Sequence, residues 1–293
     1  MATASVRVVE VGPRDGLQNE PAVLPTDAKV RFIDMLSDSG LRDVEVSSFV
    51  NPVRVPQLAD AEAVFAAIDR RPGVRYTALV ANERGLERAF ASRVDGIALF
   101  TAASDEFARR NIGRSIAESL DQFASLAAAA RRAGLWVRGY VSTAFACPFT
   151  GPVAHAAVLP IVSRLLEMGV DEVSVADTIG AATPDDVRRL TEALMPILPL
   201  QAFAYHFHDT RGAAVANVEE AMRSGVAVFD SSAGGLGGCP FAPGAPGNLA
   251  TESLLDMLAV RGVETGVDTG RVRAAAGMLR DALRRVDNPN RPC

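Results

Sequence analysis

The stretch "VRVVEVGPRDGLQNE" (6–20) bears most directly on the fold. Its first half is a short run of β-branched residues, which is typical of a buried strand. A doubly wound nucleotide-binding fold usually follows its first strand with the turn G-x-G-x-x-G. Here the turn reads "GPRDGLQNE" (12–20), which lacks that pattern. The first strand therefore favours a different parallel fold, with the doubly wound sheet kept as the alternative.

Strand-like runs and helical segments alternate along the rest of the chain. The clearest helical patterns are "DAKVRFIDMLSDSG" (27–40) and "DDVRRLTEALMPIL" (185–198). Seven further strands are predicted at 43–49, 75–80, 95–100, 135–143, 171–178, 201–209 and 226–235. Strands that alternate with helices pair in parallel through right-handed crossovers. Eight strands without an intervening linker predict one (β/α)₈ TIM barrel, a single catalytic domain over residues 1–293.

Composition limits the classes of partner. The net charge of −5 argues against nucleic acid and against an anionic membrane surface. No apolar run reaches the roughly 18 residues that a membrane helix needs, and the first residues do not resemble a secretory signal. Three widely spaced cysteines, Cys147, Cys239 and Cys293, do not form a disulfide framework. We therefore expect a cytoplasmic protein with free thiols.

Two of the three histidines lie in "AYHFHDT" (204–210). Side chains at positions i and i+2 of a strand point to the same side, so His206 and His208 project together while Phe207 faces the helix layer. They are predicted at the carboxyl end of strand seven, where barrel enzymes place their chemistry. A hydrogen-bonded pair within the core is the alternative, but a paired arrangement favours metal binding.

Other polar residues are predicted at the same end of the barrel. Arg14 and Asp15 follow strand one, Glu45 and Ser48 lie on strand two, and Asp177 ends strand six. Each residue alone is also typical of a surface loop or a helix cap. Because all of them come from strand ends on one side of a single barrel, together they indicate a functional site.

A glycine-rich segment, "GGLGGCPFAPGAPGNLATE" (234–252), follows strand eight. Glycines permit close approach of the backbone to a ligand, so we expect a lid loop that carries Cys239. A plain flexible turn is the alternative, and a phosphate cradle is disfavoured because its usual spacing is missing. Asn248 lies where the next helix begins and would otherwise serve as its N-cap.

With these segments in place, the chain resembles the 3-hydroxy-3-methylglutaryl-CoA lyases. The resemblance runs in unbroken order from residue 6 to the helix after Asn248. It implies a divalent metal, Mg²⁺ or Mn²⁺, bound by Asp15, His206, His208 and Asn248. Carboxylate and amide oxygens with two imidazoles independently suit an octahedral ion with positions left for substrate.

The resemblance also implies the reaction, cleavage of 3-hydroxy-3-methylglutaryl-CoA into acetyl-CoA and acetoacetate. Asp15 or a histidine is expected to take the 3-hydroxyl proton, and Arg14 to stabilise the enolate. Cys239 resembles the cysteine that protonates the enolate carbon. Glu45 is expected to support the metal site or Arg14. Arg14 and Ser48 are expected to bind the acyl-CoA substrate.

Two departures from the family pattern bear on the acyl group that is accepted. "SAGGLGGCP" (232–240) carries the additional Gly234, which we expect to make the approach to the lid more flexible, and "CPFTG" (147–151) has Thr150 in place of an acid. A related substrate, such as citramalyl-CoA or an isoprenoid homologue, is therefore an alternative. A condensing synthase of the isopropylmalate type and a non-catalytic acyl-CoA-binding barrel are further alternatives. Family members are often homodimers, although the residues themselves give no interface signal.

Overall fold

A computed structural model of the chain describes residues 5–237 and 247–287. Eight parallel strands close into a barrel in chain order, with the last strand pairing with the first. The expected (β/α)₈ barrel is confirmed. The strands are β1 (Arg7–Glu10), β2 (Asp43–Phe49), β3 (Arg75–Val80), β4 (Gly96–Ala102), β5 (Trp136–Ser142), β6 (Glu172–Asp177), β7 (Phe203–Phe207) and β8 (Val228–Ser231).

Helices connect successive strands and surround the barrel. They are α1 (Thr26–Ser37), α2 (Ala61–Ala67), α3 (Glu83–Ala91), α4 (Asp105–Ile112), α5 (Ile116–Arg132), α6 (His155–Glu167), α7 (Pro184–Leu194), α8 (Ala214–Arg223), α9 (Thr251–Val260) and α10 (Thr269–Asp287). A π-helical turn (Gly12–Gly16) follows β1, and a short hairpin (Ala146–Cys147 with Gly151–Pro152) follows β5. Short 3₁₀ turns lie at Pro56–Leu58, Leu200–Ala202 and Ala233–Gly235.

Alternation along each strand separates the two sides of the barrel wall. Phe203, Tyr205 and Phe207 of β7 are buried among the helices, so Phe207 faces the helix layer as predicted. The intervening residue Ala204 packs inside the barrel with Val9. The strand thereby turns the side chain of His206 toward the barrel interior.

The carboxyl end of β7 differs from the prediction. The strand was expected to reach residue 209 but ends at Phe207, whose carbonyl accepts a hydrogen bond from the Leu249 amide. His208 instead forms an isolated antiparallel bridge with Asn248. The segment before α9 thus takes the place of a neighbouring strand and brings Asn248 beside the histidines.

The predicted glycine-rich lid lies partly outside the described residues, because residues 238–246, including Cys239, are not among them. At its beginning, Gly234 has a φ of +75°, which favours glycine, and donates its amide to Glu252. The greater flexibility expected from this glycine stays a prediction. A Cβ at Gly237 would lie 2.7 Å from Asn248 Nδ2, so only glycine fits there. No helix in the described ranges is long and apolar enough to span a membrane.

Candidate metal and active site

The turn after β1 carries two of the predicted site residues. In the π-helical turn, the amides of Arg14 and Asp15 both donate to the carbonyl of Val11, at 3.1 and 2.7 Å. A Cβ at Gly12 would lie 2.6 Å from a carboxylate oxygen of Glu10, so the turn requires glycine at its start. This tight turn points Arg14 and Asp15 into the mouth of the barrel, where both line its cavity.

Three predicted metal ligands meet at the barrel mouth. Asp15, His206 and His208 each offer one ligand atom, and these atoms all lie within 4.8 Å of one another. The two imidazole rings are 5.0 Å apart between centroids. Asn248 lies beside them, since its Nδ2 donates to Asp15 Oδ2 at 2.8 Å. Its Oδ1 is buried and has no partner among the described residues, so this oxygen is free to bind a cation.

Each imidazole is held through Nδ1. His208 Nδ1 lies 3.0 Å from the carbonyl oxygen of Asp177, and His206 Nδ1 lies 3.2 Å from Asp230 Oδ2. A carbonyl oxygen can only accept, so Nδ1 of His208 must carry the proton. The Nε2 atom of that ring is then a bare nitrogen, the form in which imidazole binds metals.

The electrostatics suit a cation. Although burial favours the neutral acid, Arg14 and then His206 lower the pKa of Asp15 well below its usual range, so its carboxylate is ionised. Burial, together with His206, lowers the pKa of His208 to about 4, so this imidazole is neutral at pH 7. Burial opposes charge on His206 as well, but its bond to Asp230 outweighs this and raises its pKa. The ionised carboxylate of Asp15 therefore faces the neutral imidazole of His208.

Arg14 is held rigidly beside the metal ligands. Its Nε donates to Glu45 Oε1 at 2.6 Å and its Nη1 donates to Asp15 Oδ1 at 2.5 Å. Glu45 also accepts a 2.5 Å hydrogen bond from the hydroxyl of Tyr140. The expected support of Arg14 by Glu45 is thus a direct ion pair. Arg14 is almost completely buried, with 6% of its surface exposed at the cavity.

Two other predicted residues have different surroundings. A bulge in β2 between Glu45 and Ser47 shifts the register of pairing with β3. Ser48 is buried, its Oγ has no partner among the described residues, and the cavity wall next to it is formed by Val50 and Asn51. Its role in substrate binding stays a prediction. Asp177 accepts the amides of two following residues, so its carboxylate stabilises a turn.

A cavity of about 760 Å³ opens from this cluster to the surface. This volume suits a substrate larger than a simple hydroxy acid. Its inner wall includes Leu79, Phe100, Tyr140, Ser142, Ala176 and Thr178. Its outer part is lined by polar and basic residues, among them Asn51, Arg54, Asn82, Arg110, Asn111 and Arg114. The inner end of the cavity thus carries the Asp15 carboxylate paired with Arg14, and the outer end is basic.

Sequence reasoning missed three residues that hold the site together. Tyr140 and Arg138 lie two positions apart on β5, and Asp230 lies on β8. Arg138 donates to Asp230 at 2.6 Å, and both are buried inside the barrel. The available signal was a charged residue inside an apolar run, in "LWVRGYVST" (135–143) and in "VAVFDSSAGG" (226–235). Such a residue must point into the barrel and find a partner there.

The chain is similar to proteins of one family along most of its length. The family model described as HMGL-like matches residues 5–279. The chain is 47% identical over 283 residues to the mitochondrial hydroxymethylglutaryl-CoA lyase of Bos taurus, covering 97% of this chain and 87% of the relative. It is 46% identical to the cytoplasmic 3-hydroxy-3-methylglutaryl-CoA lyase of Rattus norvegicus, with 97% and 82% covered.

Solved structures agree with this similarity. The fold matches the crystal structure of the HMG-CoA lyase from Brucella melitensis with a TM-score of 0.94 and 45% identity, covering 96% of this chain and 99% of that one. It also matches an HMG-CoA lyase from Acinetobacter baumannii in complex with coenzyme A and 3-methylmalate. That match has a TM-score of 0.92 and 35% identity, and covers 97% of this chain and 93% of the other.

Proposed function

We propose that this chain, which belongs to the HMGL-like family, cleaves 3-hydroxy-3-methylglutaryl-CoA into acetyl-CoA and acetoacetate. The observation that carries the proposal is the meeting of Asp15, His206 and His208 at the barrel mouth, with Arg14 bonded to Asp15. Relatives that are nearly half identical over almost the whole chain are named as lyases for this thioester. The site has the charges that such a cleavage requires.

We infer that Asp15, His206, His208 and Asn248 bind one divalent cation. The buried Asn248 Oδ1, which has no partner among the described residues, and the ionised Asp15 offer two oxygens, and the imidazoles offer two nitrogens. Such a mixed oxygen and nitrogen set suits octahedral Mg²⁺ or Mn²⁺ better than tetrahedral structural zinc. When bound, the ion supplies a Lewis acid that lowers the pKa of the substrate 3-hydroxyl.

Residues of the chain then accept the 3-hydroxyl proton and stabilise the negative charge of the enolate. The 3-hydroxyl proton passes to Asp15, the carboxylate at the inner end of the cavity, because each imidazole holds its proton on Nδ1 and would bind the cation through Nε2. Cleavage of the bond between C2 and C3 releases acetoacetate and leaves the enolate of the acetyl thioester. The guanidinium of Arg14 lies at the same end and stabilises the negative charge on the thioester oxygen. Glu45 keeps the guanidinium in place through two contacts, at 2.6 and 3.4 Å.

The enolate carbon finally needs a proton. We assign this role to Cys239, on the strength of the family resemblance of "GGLGGCP" (234–240). Cys239 lies outside the described residues, so its role depends on sequence alone. Cys147 is buried beside Phe107 and Ala108 and is assigned no part in the reaction.

The shape of the cavity suggests how the thioester lies. The acyl group occupies the inner end, beside Asp15, and the pantetheine arm extends outward. The basic outer part, with Arg54, Arg110 and Arg114, faces the phosphates of coenzyme A. Arg110 lies over the ring of Phe149, with its guanidinium carbon 4.2 Å from the ring centroid, which leaves its charge at the cavity rim. A solved relative that is 35% identical is described in complex with coenzyme A and 3-methylmalate, which supports a coenzyme A thioester as the substrate.

Three further predictions belong to this proposal. We propose that residues 1–293 form one catalytic domain and that the chain assembles as a homodimer. We also propose a cytoplasmic location. Among the relatives, the rat and zebrafish proteins at 46% identity are named as cytoplasmic forms, whereas others are named as mitochondrial.

The decisive experiment offers the purified protein a panel of 3-hydroxyacyl-CoA thioesters with Mg²⁺ or Mn²⁺ and identifies the products by mass spectrometry. Acetyl-CoA and acetoacetate should form fastest from the hydroxymethylglutaryl thioester. Preference for citramalyl-CoA or a longer isoprenoid homologue would overturn the substrate assignment. Condensation of acetyl-CoA with a 2-oxo acid would overturn the reaction class. Asp15→Ala serves as the inactive control, because it removes a metal ligand and a partner of Arg14.

A further inference from the structure

A buried arginine lies beneath the site and contacts both of its halves. Arg138 of β5 has 2% of its surface exposed, and the described residues that line the cavity do not include it. Its Nη2 donates to Asp230 at 2.6 Å and its Nη1 donates to the Tyr140 hydroxyl at 2.9 Å. Its Nε lies 2.9 Å from Glu172 Oε1. Arg138 can therefore affect the substrate only through other residues.

The first arm of contacts leads from Arg138 to the enolate-stabilising arginine. The Tyr140 hydroxyl accepts from Arg138 and donates to Glu45 Oε2 at 2.5 Å. Glu45 in turn accepts from Arg14 at 2.6 Å. Burial raises the pKa of Tyr140 well above its usual value, so its hydroxyl keeps the proton that it donates. The direction of every hydrogen bond in this arm is therefore fixed. Arg138 donates to Tyr140, and both Tyr140 and Arg14 donate to Glu45.

The second arm leads from Arg138 to a metal-binding imidazole. Asp230 Oδ1 accepts from Arg138, and Asp230 Oδ2 lies 3.2 Å from His206 Nδ1. Ser174 donates to the same Oδ2 at 3.0 Å. Both oxygens of Asp230 thus face donors, and a carboxylate paired with a guanidinium at 2.6 Å can only accept. When the His206 ring is neutral, its proton must therefore lie on Nδ1, which leaves Nε2 bare on the side of Asp15.

We propose that Arg138 is the positioning residue shared by both arms, in that it fixes Arg14 through Tyr140 and sets the tautomer of His206 through Asp230. The consequence for catalysis rests on the proposed function, but the consequence for the His206 tautomer does not. Because the barrel closes on itself, Arg138 of β5 reaches Asp230 on β8 directly and Glu45 on β2 through the Tyr140 hydroxyl. A single buried cation thereby holds the enolate-stabilising and metal-binding groups in one relative geometry.

The second arm is tested first, with Asp230→Asn. The new amide has one oxygen, which Arg138 would engage, and its NH₂ would then face His206 Nδ1 and force the proton onto Nε2. Long-range ¹H–¹⁵N NMR of the metal-free protein at pH 8.5 reports the tautomer directly. The chain has three histidines, so single replacements assign every ring. His208 is an internal control, because its Nδ1 faces a backbone carbonyl.

In the wild type we expect an Nδ1–H tautomer for both rings, and in Asp230→Asn a switch to Nε2–H for His206 alone. Mn²⁺ affinity, measured by titration with electron paramagnetic resonance, should fall about 10- to 100-fold. An unchanged His206 tautomer, or unchanged Mn²⁺ affinity, would overturn this arm. A wild type without lyase activity would remove the proposed function and leave these two readouts intact.

The first arm is tested with Tyr140→Phe, which removes the hydroxyl between Arg138 and Glu45. Displacement of Arg14 by a fraction of an ångström should lower kcat about 100-fold, with little change in KM and in Mn²⁺ affinity. Tyr205→Phe is the matched control, because Tyr205 is also buried but bonds Thr191 in the helix layer. It should leave kcat unchanged, and equal kcat in the two variants would overturn the arm.

Arg138→Met tests the shared role. If the variant folds, kcat and Mn²⁺ affinity should both fall, by at least the factors seen in the two single-arm variants. A folded Arg138→Met protein that keeps both values would show that the arginine only stabilises the barrel. If Arg138→Met fails to fold, the Tyr140→Phe and Asp230→Asn results decide the proposal, since each variant removes one arm and leaves the arginine in place.

Discussion

Glu10 should make the stability of this barrel depend on pH with an unusual sign. Its carboxylate is completely buried and joins three segments. One oxygen accepts the amides of Gly12 and Ala233, at 2.8 and 2.9 Å, and the other accepts the hydroxyl of Thr251 at 2.7 Å. Glu10 thus connects the turn that carries Arg14 to the segments on both sides of the predicted lid.

Burial raises the pKa of Glu10 from 4.5 to about 7, in spite of these donors. The folded protein therefore binds the Glu10 proton more tightly than the unfolded chain does, and stability falls as pH rises from 4.5 to about 7. The gap between the two pKa values corresponds to about 3 kcal/mol, at about 1.4 kcal/mol for each pH unit. The loss is complete above pH 7.

Glu10→Gln tests this reasoning. Its amide oxygen can accept the same two backbone amides, and its NH₂ can donate to Thr251, whose own hydroxyl then donates to Ser231 at 2.8 Å. The free energy of unfolding of both proteins is measured by urea denaturation at several pH values between 5 and 8. The value for Glu10→Gln minus the value for the wild type should rise by about 3 kcal/mol across that range. Glu264→Gln, which removes an exposed acid, is the control. Parallel curves for wild type and Glu10→Gln would refute the reasoning.

Three predictions concern the site. Replacing His206 or His208 with Ala should weaken Mn²⁺ binding more than about 100-fold while the circular dichroism spectrum stays native; stoichiometric binding to the double variant would contradict the ligand assignment. Arg14→Lys should lower kcat about 100- to 1000-fold with modest change in KM, because an ammonium cannot replace the forked guanidinium; a rise in KM alone would make Arg14 a binding residue. Cys239→Ser should lower turnover by orders of magnitude while metal affinity stays normal. Alkylation at Cys239, rather than at buried Cys147, should inactivate the enzyme. Near-normal turnover of Cys239→Ser would leave the proton donor unidentified.

Local pattern determined the architecture and part of the site. The alternation of β-branched runs with helical periodicity predicts the eight strands, because the periods of strand and helix are properties of neighbouring residues. For the same reason, "HFH" (206–208) placed both imidazoles on one side, and the structure has their rings 5.0 Å apart. Arg14 and Asp15 followed from their place directly after the first strand.

Only the tertiary structure decided which distant residues meet. Asn248 bonds to Asp15 because the segment before α9 pairs with the end of β7, and that pairing also ended the predicted strand before His208. Ser48 is buried, and the nearby residues Val50 and Asn51 form the cavity wall in its place. Its position on a strand could not reveal this.

The buried polar contacts show why the sequence alone does not reveal which distant residues meet. Arg138 and Asp230 are separated by 92 positions, and Tyr140 and Glu45 by 95. The charged residues among them, Arg138, Asp230 and Glu45, interrupt apolar strands, so the sequence by itself contains the signal that each needs a partner inside the barrel. Which partner each one finds depends on the closure of the ring, which sets β5 opposite β2 and β8. That closure is a property of all eight strands together and of no single segment.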